Sequence, residues 1–355
     1  IVGPFALGLA HVSITAEVFA ELGVVILLFT VGLEVRLDDL LKVGPMAIAV
    51  GTIGFILPIL AGIVIGLGMG EEMLSAALIG LALAATSIGI TSRVLAEMGV
   101  LDRAFSRVIL GAAIVDDILA LLAIGVLSGL AEGDLGVDTI VTLVAGVLFV
   151  GVGLALAPLG RRLPRKTFVW PRFADTPVVP VFILMFAGAL LAQFVGLAAI
   201  IGAFVVGLFI AETPVREEVE HGFRSLLGIF APFFFAVTGA NIDMSALLDP
   251  ELLIIVLVLA VMGILTKLVG GIVGSWRLGK WNSVVVGMGM SPRGEVGIVV
   301  SALGLSLALI SQEIYAVLLA AVILTTLVAP VMLQWVIPKA PRDERHGDHQ
   351  ASAAA

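Results

Sequence analysis

Two stretches of the sequence, Ala85-Thr-Ser-Ile-Gly-Ile-Thr-Ser-Arg93 and Gly289-Met-Ser-Pro-Arg-Gly-Glu-Val-Gly297, each interrupt a long apolar segment near its middle. Their centres, Gly89 and Gly294, lie about 205 residues apart. Paired spans broken by Gly or Pro at matching places in two halves are the best sequence indication of a transporter binding site. The pairing predicts an internal repeat with a binding site at the two breaks. The alternative is that the breaks only reflect how common Gly and Pro are in membrane helices.

The composition around these stretches is that of a membrane protein. Of the 355 residues, 60% are apolar and 13% are charged, whereas a soluble domain has roughly 45–50% and about 25%. This balance excludes an ordinary soluble enzyme, a disordered chain and a nucleic-acid binder, and it predicts an all-helical polytopic protein in the lipid bilayer. The sequence has no cysteine and no phosphate-binding loop, which argues against thiolate metal sites and an ATP-driven pump.

Apolar windows bounded by charged residues, Gly or Pro predict eleven full membrane spans. Residues 1–10 are apolar but too few to cross a bilayer, so we expect them to end a truncated helix. Residues 1–340 are predicted to form one membrane transporter domain, and the charged, Ala-rich 341–355 a disordered cytoplasmic tail. The predicted spans are 15–35, 45–69, 73–98, 104–130, 138–160, 177–195, 197–212, 223–241, 250–274, 281–306 and 313–337.

Basic residues fall almost entirely in every second gap between the predicted spans. All but two of the 19 Lys and Arg residues lie in these gaps or in the tail, and the other gaps carry only acidic charges. The positive-inside rule therefore makes the basic gaps and the C-terminus cytoplasmic. The two interrupted spans then cross in opposite directions, so the predicted repeat is inverted. Glu34, at the end of the first full span, is interpreted as interfacial, while the two exceptional cations, Lys267 and Arg293, lie within spans.

Two adjacent carboxylates occupy the middle of one span, in Gly111-Ala-Ala-Ile-Val-Asp-Asp-Ile-Leu-Ala120. A charge at this depth costs at least about 2.5–3.5 kcal/mol on insertion scales, so intramembrane acids are functional-site candidates. Asp116 and Asp117 point about 100° apart on a helix, and both can face one cavity. Carboxylates in such a place can exchange protons and can bind a hard cation such as sodium. A structural pair satisfied by a basic residue is the weaker alternative.

Five further polar residues surround the predicted site. Lys267 is a candidate ion partner for one of the aspartates, although it could also snorkel toward the cytoplasmic interface. Thr86 and Ser87, at the first break, could complete cation coordination together with unwound backbone carbonyls, or bond back to their own helix. Arg293 and Glu295, at the second break, are expected to neutralise each other or the half-helix ends, which is a structural role.

In this order, the residues resemble the cation:proton antiporter-2 family, and within it the bacterial NapA-type sodium/proton antiporters. The resemblance covers the chain up to the tail. It rests on Glu21-Leu-Gly-Val-Val-Ile-Leu-Leu-Phe-Thr-Val-Gly-Leu-Glu34, Ala85-Thr-Ser-Ile-Gly-Ile-Thr91, Val115-Asp-Asp117, Lys267 and Ser291-Pro-Arg-Gly-Glu295.

The resemblance implies a homodimeric secondary transporter of the prokaryotic inner membrane, whose core domain moves against a dimerisation domain. It implies that Asp117 is the main carboxylate for ion and proton, and that Asp116 pairs with Lys267 in the ion-free state. The Asp-Asp form of the motif implies electrogenic exchange, in which protons enter while sodium leaves. Asp117 and Asp116 are thus the candidate sodium ligands, lithium and potassium are further candidate ions, and neither a cofactor nor a catalytic residue is expected.

Other function classes stay open at this point. One is a sodium-coupled symporter of an organic anion on the same fold, which the two acids disfavour because they repel an anion. Another is a non-transporting sensor or a channel subunit in which the charged breaks set a gate. Ion flux without proton counter-flux would identify the channel, whereas a potassium/proton antiporter would differ only in its cation.

Overall fold

The computed structural model is almost entirely helical in the part of the chain that it describes. The predicted truncated helix at 1–10 lies outside that part, as does the predicted tail beyond residue 341. The described residues are 12–35, 44–131, 144, 148–149, 151–153, 155–169, 176–195, 197–242 and 249–341. Their α-helices are α1 (Ile14–Glu34), α2 (Pro45–Gly68), α3 (Met73–Ala84), α4 (Ile88–Glu97), α5 (Ala104–Ala131), α6 (Val178–Phe194), α7 (Ala199–Ala211), α8 (Arg216–Ala240), α9 (Pro250–Gly274), α10 (Lys280–Gly289), α11 (Glu295–Ser306) and α12 (Gln312–Val336).

With one exception at a helix start, these helices agree with the predicted spans to within a few residues where the structure describes them. Seven described segments are long and apolar enough to cross a bilayer, and α6, α7 and α11 are shorter apolar helices. About half of the predicted span 138–160 lies outside the described residues, and its end is the 3-10 helix Ala157–Arg162. The all-helical membrane fold expected from composition is therefore confirmed.

One predicted boundary was wrong by seven residues. The span expected at 223–241 is the end of a longer helix, α8, which begins at Arg216. Hydropathy windows stop at charged residues, but backbone hydrogen bonds continue through them. Here the charges support the helix, because Arg224 and Glu220 pair one turn apart at 3.1 Å.

Both predicted helix breaks are present, and the first is shorter than expected. The chain leaves helix at Ala85 and re-enters it at Ile88, so Gly89 lies in the first turn of α4 and is not the centre of the break. The second break lies between Gly289 and Glu295. Gly89 does not itself break the helix, because glycine weakens a helix by only about 1 kcal/mol when its hydrogen bonds stay intact.

The described helices pack in two groups. One group contains α1 and α6–α8, and the other contains α2–α5 and α9–α12; close helix contacts run mainly within each group. In the second group, matched glycines let helices approach closely. A Cβ on Gly62 would lie 2.2 Å from the Cα of Gly80, and a Cβ on Gly271 would lie 2.2 Å from the Cα of Gly287. The pairs α2–α3 and α9–α10 thus pack alike, which favours the predicted repeat.

A hydrogen bond joins the two groups. The buried Tyr315 hydroxyl of α12 donates to the carbonyl of Thr238 in α8 at 3.0 Å. Beside it, a cavity of about 380 Å³ separates the groups, and Glu17 and Glu21 of α1 lie on its wall. The packing between the groups is therefore looser here than the packing within each of them.

Candidate functional site

A buried ion pair lies in the middle of the second helix group. Nζ of Lys267 in α9 donates to Oδ1 of Asp116 in α5 at 2.6 Å, and both side chains are 0% exposed. Gly54 of α2 packs against the lysine, since a Cβ there would lie in ordinary contact with the lysine Cδ at 3.6 Å. The ammonium group thus reaches a carboxylate inside the protein and does not snorkel to the interface.

The carboxylates around this pair outnumber the ammonium group. Oδ2 of Asp116 is buried and has no hydrogen-bond partner, a condition that costs free energy unless another group satisfies it. Asp117 is also buried. The charged groups that act on Asp117 are Asp116, Lys267, Glu295 and Glu34. Such a concentration of negative charge, with an unsatisfied oxygen, suits the binding of a cation or a proton.

The two helix breaks meet each other next to this site. The backbone N–H of Ser87 donates to the carbonyl of Pro292 at 2.9 Å, and the hydroxyl of Thr86 donates to the carbonyl of Met290 at 3.1 Å. Each break therefore satisfies polar groups of the other. Irregular backbone is tolerated at membrane depth only where it is buried in protein or lines a cavity.

Arg293, in the second break, stabilises the place where the two helix breaks cross. Its fully buried guanidinium donates to the carbonyls of Ala84 and Ala85 at 3.2 Å each and to the carbonyl of Gly263 at 2.7 Å. The first two carbonyls end α3, where a helix carries about half a negative charge. In the described part of the chain no ion pair joins Arg293 to Glu295. Of the two expected alternatives, the contacts of Arg293 correspond to neutralisation of a half-helix end.

Comparison with known proteins places this arrangement in a family. The model of a family described as "Sodium/hydrogen exchanger, transmembrane" matches residues 1–339. The chain belongs to that sodium/hydrogen exchanger family. It is therefore a transporter and not an enzyme, and the expectation drawn from the sequence motifs is confirmed at the level of the family.

Individual relatives agree with the family match. The exchanger is 36% identical over 341 residues to the "High-affinity Na(+)/H(+) antiporter NhaS3" of Synechocystis, covering 92% of this chain and 73% of that protein. It is 33% identical to the "Na(+)/H(+)-K(+) antiporter GerN" of Bacillus cereus, covering 94% and 87%. The solved structure of the sodium proton antiporter MjNhaP1 of Methanocaldococcus jannaschii has the same fold, with a TM-score of 0.69 at 20% identity over 94% and 89% of the chains.

The hydroxyls at the first break of the exchanger bond across the crossing. Ser87 Oγ donates to Oε2 of Glu295 at 3.3 Å, so Ser87, like Thr86, does not bond back to its own helix. The hydrogen bonds that these two hydroxyls donate reach residues of the second break and not the aspartates. Each hydroxyl oxygen still has lone pairs that can face a cation.

Two site residues of the exchanger were missed by sequence reasoning. Thr91 is buried and donates to the carbonyl of Gly289 at 2.6 Å; its presence within the quoted first break was the available signal. Glu34 was interpreted as interfacial, and it is exposed, yet it acts electrostatically on Glu295 and Asp117. Glu34 ends the first stretch on which the family resemblance rests, but hydropathy did not place it at the site, because hydropathy reports depth in the membrane and not neighbours.

Within the described residues, no group of three or more His, Cys, Asp or Glu side chains could hold a metal ion. The candidate sodium site predicted from the sequence comprises the two adjacent aspartates, Asp116 and Asp117. Any further ligands would come from the hydroxyl and carbonyl oxygens at the crossing of the breaks.

Proposed function

We propose that this exchanger carries out electrogenic Na⁺/H⁺ exchange by alternating access, with Asp117 and Asp116 as the shared site for sodium and protons. The observation that carries the proposal is the buried Lys267–Asp116 contact of 2.6 Å, which leaves the second Asp116 oxygen without a partner. In this proposal the contact belongs to the ion-free state, with Asp117 protonated and Lys267 charged.

Charge balance links this contact to electrogenic exchange. A sodium ion that binds both aspartates takes the place of the Lys267 ammonium at Asp116 and of the proton at Asp117. Without its carboxylate partner, a buried ammonium group favours release of its own proton. Two protons then leave for each sodium that binds, and one net charge moves per cycle.

The crossing of the helix breaks gives each remaining residue a role. Thr86 and Ser87 present oxygen atoms at the first break, where they could complete the sodium coordination. Arg293 stabilises the break between α3 and α4 by donating hydrogen bonds to the carbonyls of Ala84 and Ala85 at the end of α3. Glu295 accepts from Ser87 and adds negative charge near Asp117.

The helix packing supports alternating access by a moving group. The ion pair lies among α2–α5 and α9–α12, whereas α1 and α6–α8 pack separately from them. Movement of the first set past the second would expose the aspartates to each side in turn, while the contacts between the two helix breaks stay intact. The proposal includes a homodimer in a prokaryotic cell membrane, as the family resemblance implies. It also places the C-terminus in the cytoplasm, as the charge alternation predicts.

Potassium is the second candidate cation. The relative from Bacillus cereus is named a Na(+)/H(+)-K(+) antiporter and is 33% identical to this chain. Symport of an organic anion is disfavoured because the carboxylates near Asp117 would repel the anion.

Proton flux in proteoliposomes tests the proposal. The full chain is reconstituted with a pH gradient, and a pH-sensitive dye reports its collapse on addition of sodium, lithium, potassium or choline. We expect collapse by sodium and lithium in the wild type and none in Asp117→Asn. Asp249→Asn is the matched control, since this exposed residue caps the start of α9 and Asn caps as well as Asp. Full activity of correctly inserted Asp117→Asn would refute the shared site.

A further inference from the structure

Three exposed cations lie together where α9, α10 and α12 come to one corner of the protein. The ammonium groups of Lys280 and Lys339 lie 5.8 and 5.3 Å from the centre of the Trp281 ring. The guanidinium of Arg277 lies 5.5 Å from the centre of the Trp276 ring. We call these five residues the basic corner.

The cations of the basic corner have no carboxylate partner in the described part of the chain. Five arginines at other helix ends do form ion pairs with glutamates. These pairs are Arg93–Glu97, Arg161–Glu212, Arg165–Glu218, Arg216–Glu220 and Arg224–Glu220. Among the described residues, the positive charge of the basic corner is therefore uncompensated and can attract an anion.

A short, fixed turn between α9 and α10 presents two of these cations, Arg277 and Lys280. Ser283 Oγ of α10 donates to the carbonyl of Ser275 at 2.6 Å, which ties the start of α10 to the end of α9. Ser275 Oγ donates back to the carbonyl of Gly271 at 2.5 Å, which closes the last turn of α9. Gly279 turns the chain with a φ of 85°, which only glycine adopts readily. The corner is thus held in place before any ligand arrives.

The surroundings of the corner are those of a membrane interface. Trp276 is 68% exposed, and Trp335, one turn before Lys339, is 72% exposed. Exposed tryptophans of membrane proteins lie at the level of the lipid headgroups. The charge alternation assigns this side of the chain to the cytoplasm, where the leaflet is rich in anionic lipid.

We propose that the basic corner binds the phosphate of an anionic phospholipid headgroup in the cytoplasmic leaflet. Arg277, Lys280 and Lys339 would contact the phosphate, while Trp276 and Trp281 lie beside the glycerol and upper acyl chains. The corner belongs to the helix group that contains Asp116 and Lys267, so the lipid would attach that group to the leaflet. The proposal depends on charge and exposure alone, and it holds whichever cation is exchanged.

Lipid binding to the purified full chain tests the proposal. The protein in neutral detergent is titrated with phosphatidylglycerol or phosphatidylcholine, and bound lipid is counted by native mass spectrometry. The test variant carries Arg277→Gln, Lys280→Gln and Lys339→Gln. The matched control carries Arg93→Gln, Arg165→Gln and Arg224→Gln, which removes the same charge from paired cations.

We expect phosphatidylglycerol to bind the wild type more tightly than phosphatidylcholine. Each cation removed from the corner should weaken that binding about fivefold, the ratio equivalent to about 1 kcal/mol per basic residue. The control should bind within twofold of the wild type. Equal losses in the two triple variants, or no preference for phosphatidylglycerol in the wild type, would overturn the proposal. A single Lys339→Gln variant, with the fivefold effect expected, keeps the test valid if the triple variant folds poorly.

Discussion

Replacing Lys267 with methionine removes the ammonium group that neutralises Asp116. Oδ1 of Asp116 then loses the donor at 2.6 Å, and Oδ2 has no partner to compensate. Breaking a buried ion pair by removing one member costs about 3–5 kcal/mol when the other charge stays in place. Asp116 avoids that cost by taking up a proton, so we expect it to be neutral in the ion-free variant. Asp116 should keep this proton when sodium binds, so that sodium displaces only the proton of Asp117. The exchange then releases one proton for each sodium, one fewer than in the wild type, and moves no net charge.

A voltage-sensitive dye in proteoliposomes distinguishes these cases. A sodium gradient should generate a membrane potential with the wild type and with Lys166→Met, whose lysine is exposed. It should generate none with Lys267→Met, although sodium still collapses a pH gradient. Adding Asp116→Asn to Lys267→Met should restore thermal stability, because an asparagine is neutral without having to take up a proton. An undiminished sodium-driven potential in Lys267→Met would show that the lysine takes no part in the proton count, and would refute the reasoning.

Three further variants test other parts of the account. Glu34→Gln should raise the sodium concentration for half-maximal gradient collapse two- to fivefold, since an exposed charge contributes at most about 1 kcal/mol; an unchanged value would remove Glu34 from the site. Gly271→Ala should lower the free energy of unfolding by about 1–3 kcal/mol in a thermal melt, because the new Cβ would lie 2.2 Å from a Cα of α10. Gly68→Ala, with nothing within 4 Å of its Cβ, should melt like the wild type. Tyr315→Phe removes the bond to Thr238 between the helix groups and should raise turnover at unchanged sodium affinity; slower turnover would contradict a restraining role.

The helices were predictable because the bilayer sets their length and the charges mark their ends. The same logic failed at Arg216, where a charged surface helix continues into a span without a break in its hydrogen bonds. The breaks were predictable as regions, but not to the residue. The first break begins at Ala85, whose carbonyl accepts a hydrogen bond from the Arg293 guanidinium. Arg293 lies in the other half of the chain, so this contact could not be predicted from the local sequence.

The charged residues of the site were predictable from their depth alone. Asp116, Asp117 and Lys267 are too costly in a membrane to lack a role. Which aspartate pairs with the lysine did not follow from helix geometry, since both carboxylates can edge one cavity, and it came only from the family resemblance. The sequence singled out Glu34 only as an interfacial residue and as the end of a family motif, because its effect on the site depends on where the end of α1 lies relative to α5 and α11.

Proton release on sodium binding tests the central claim most directly. The full-length protein, in weakly buffered detergent solution, is mixed with sodium while a dye reports the protons released for each sodium bound. If the aspartates and Lys267 form one shared site, the wild type should release two protons for each sodium and Lys267→Met should release one. Sodium binding that releases no proton in the wild type would contradict a shared site.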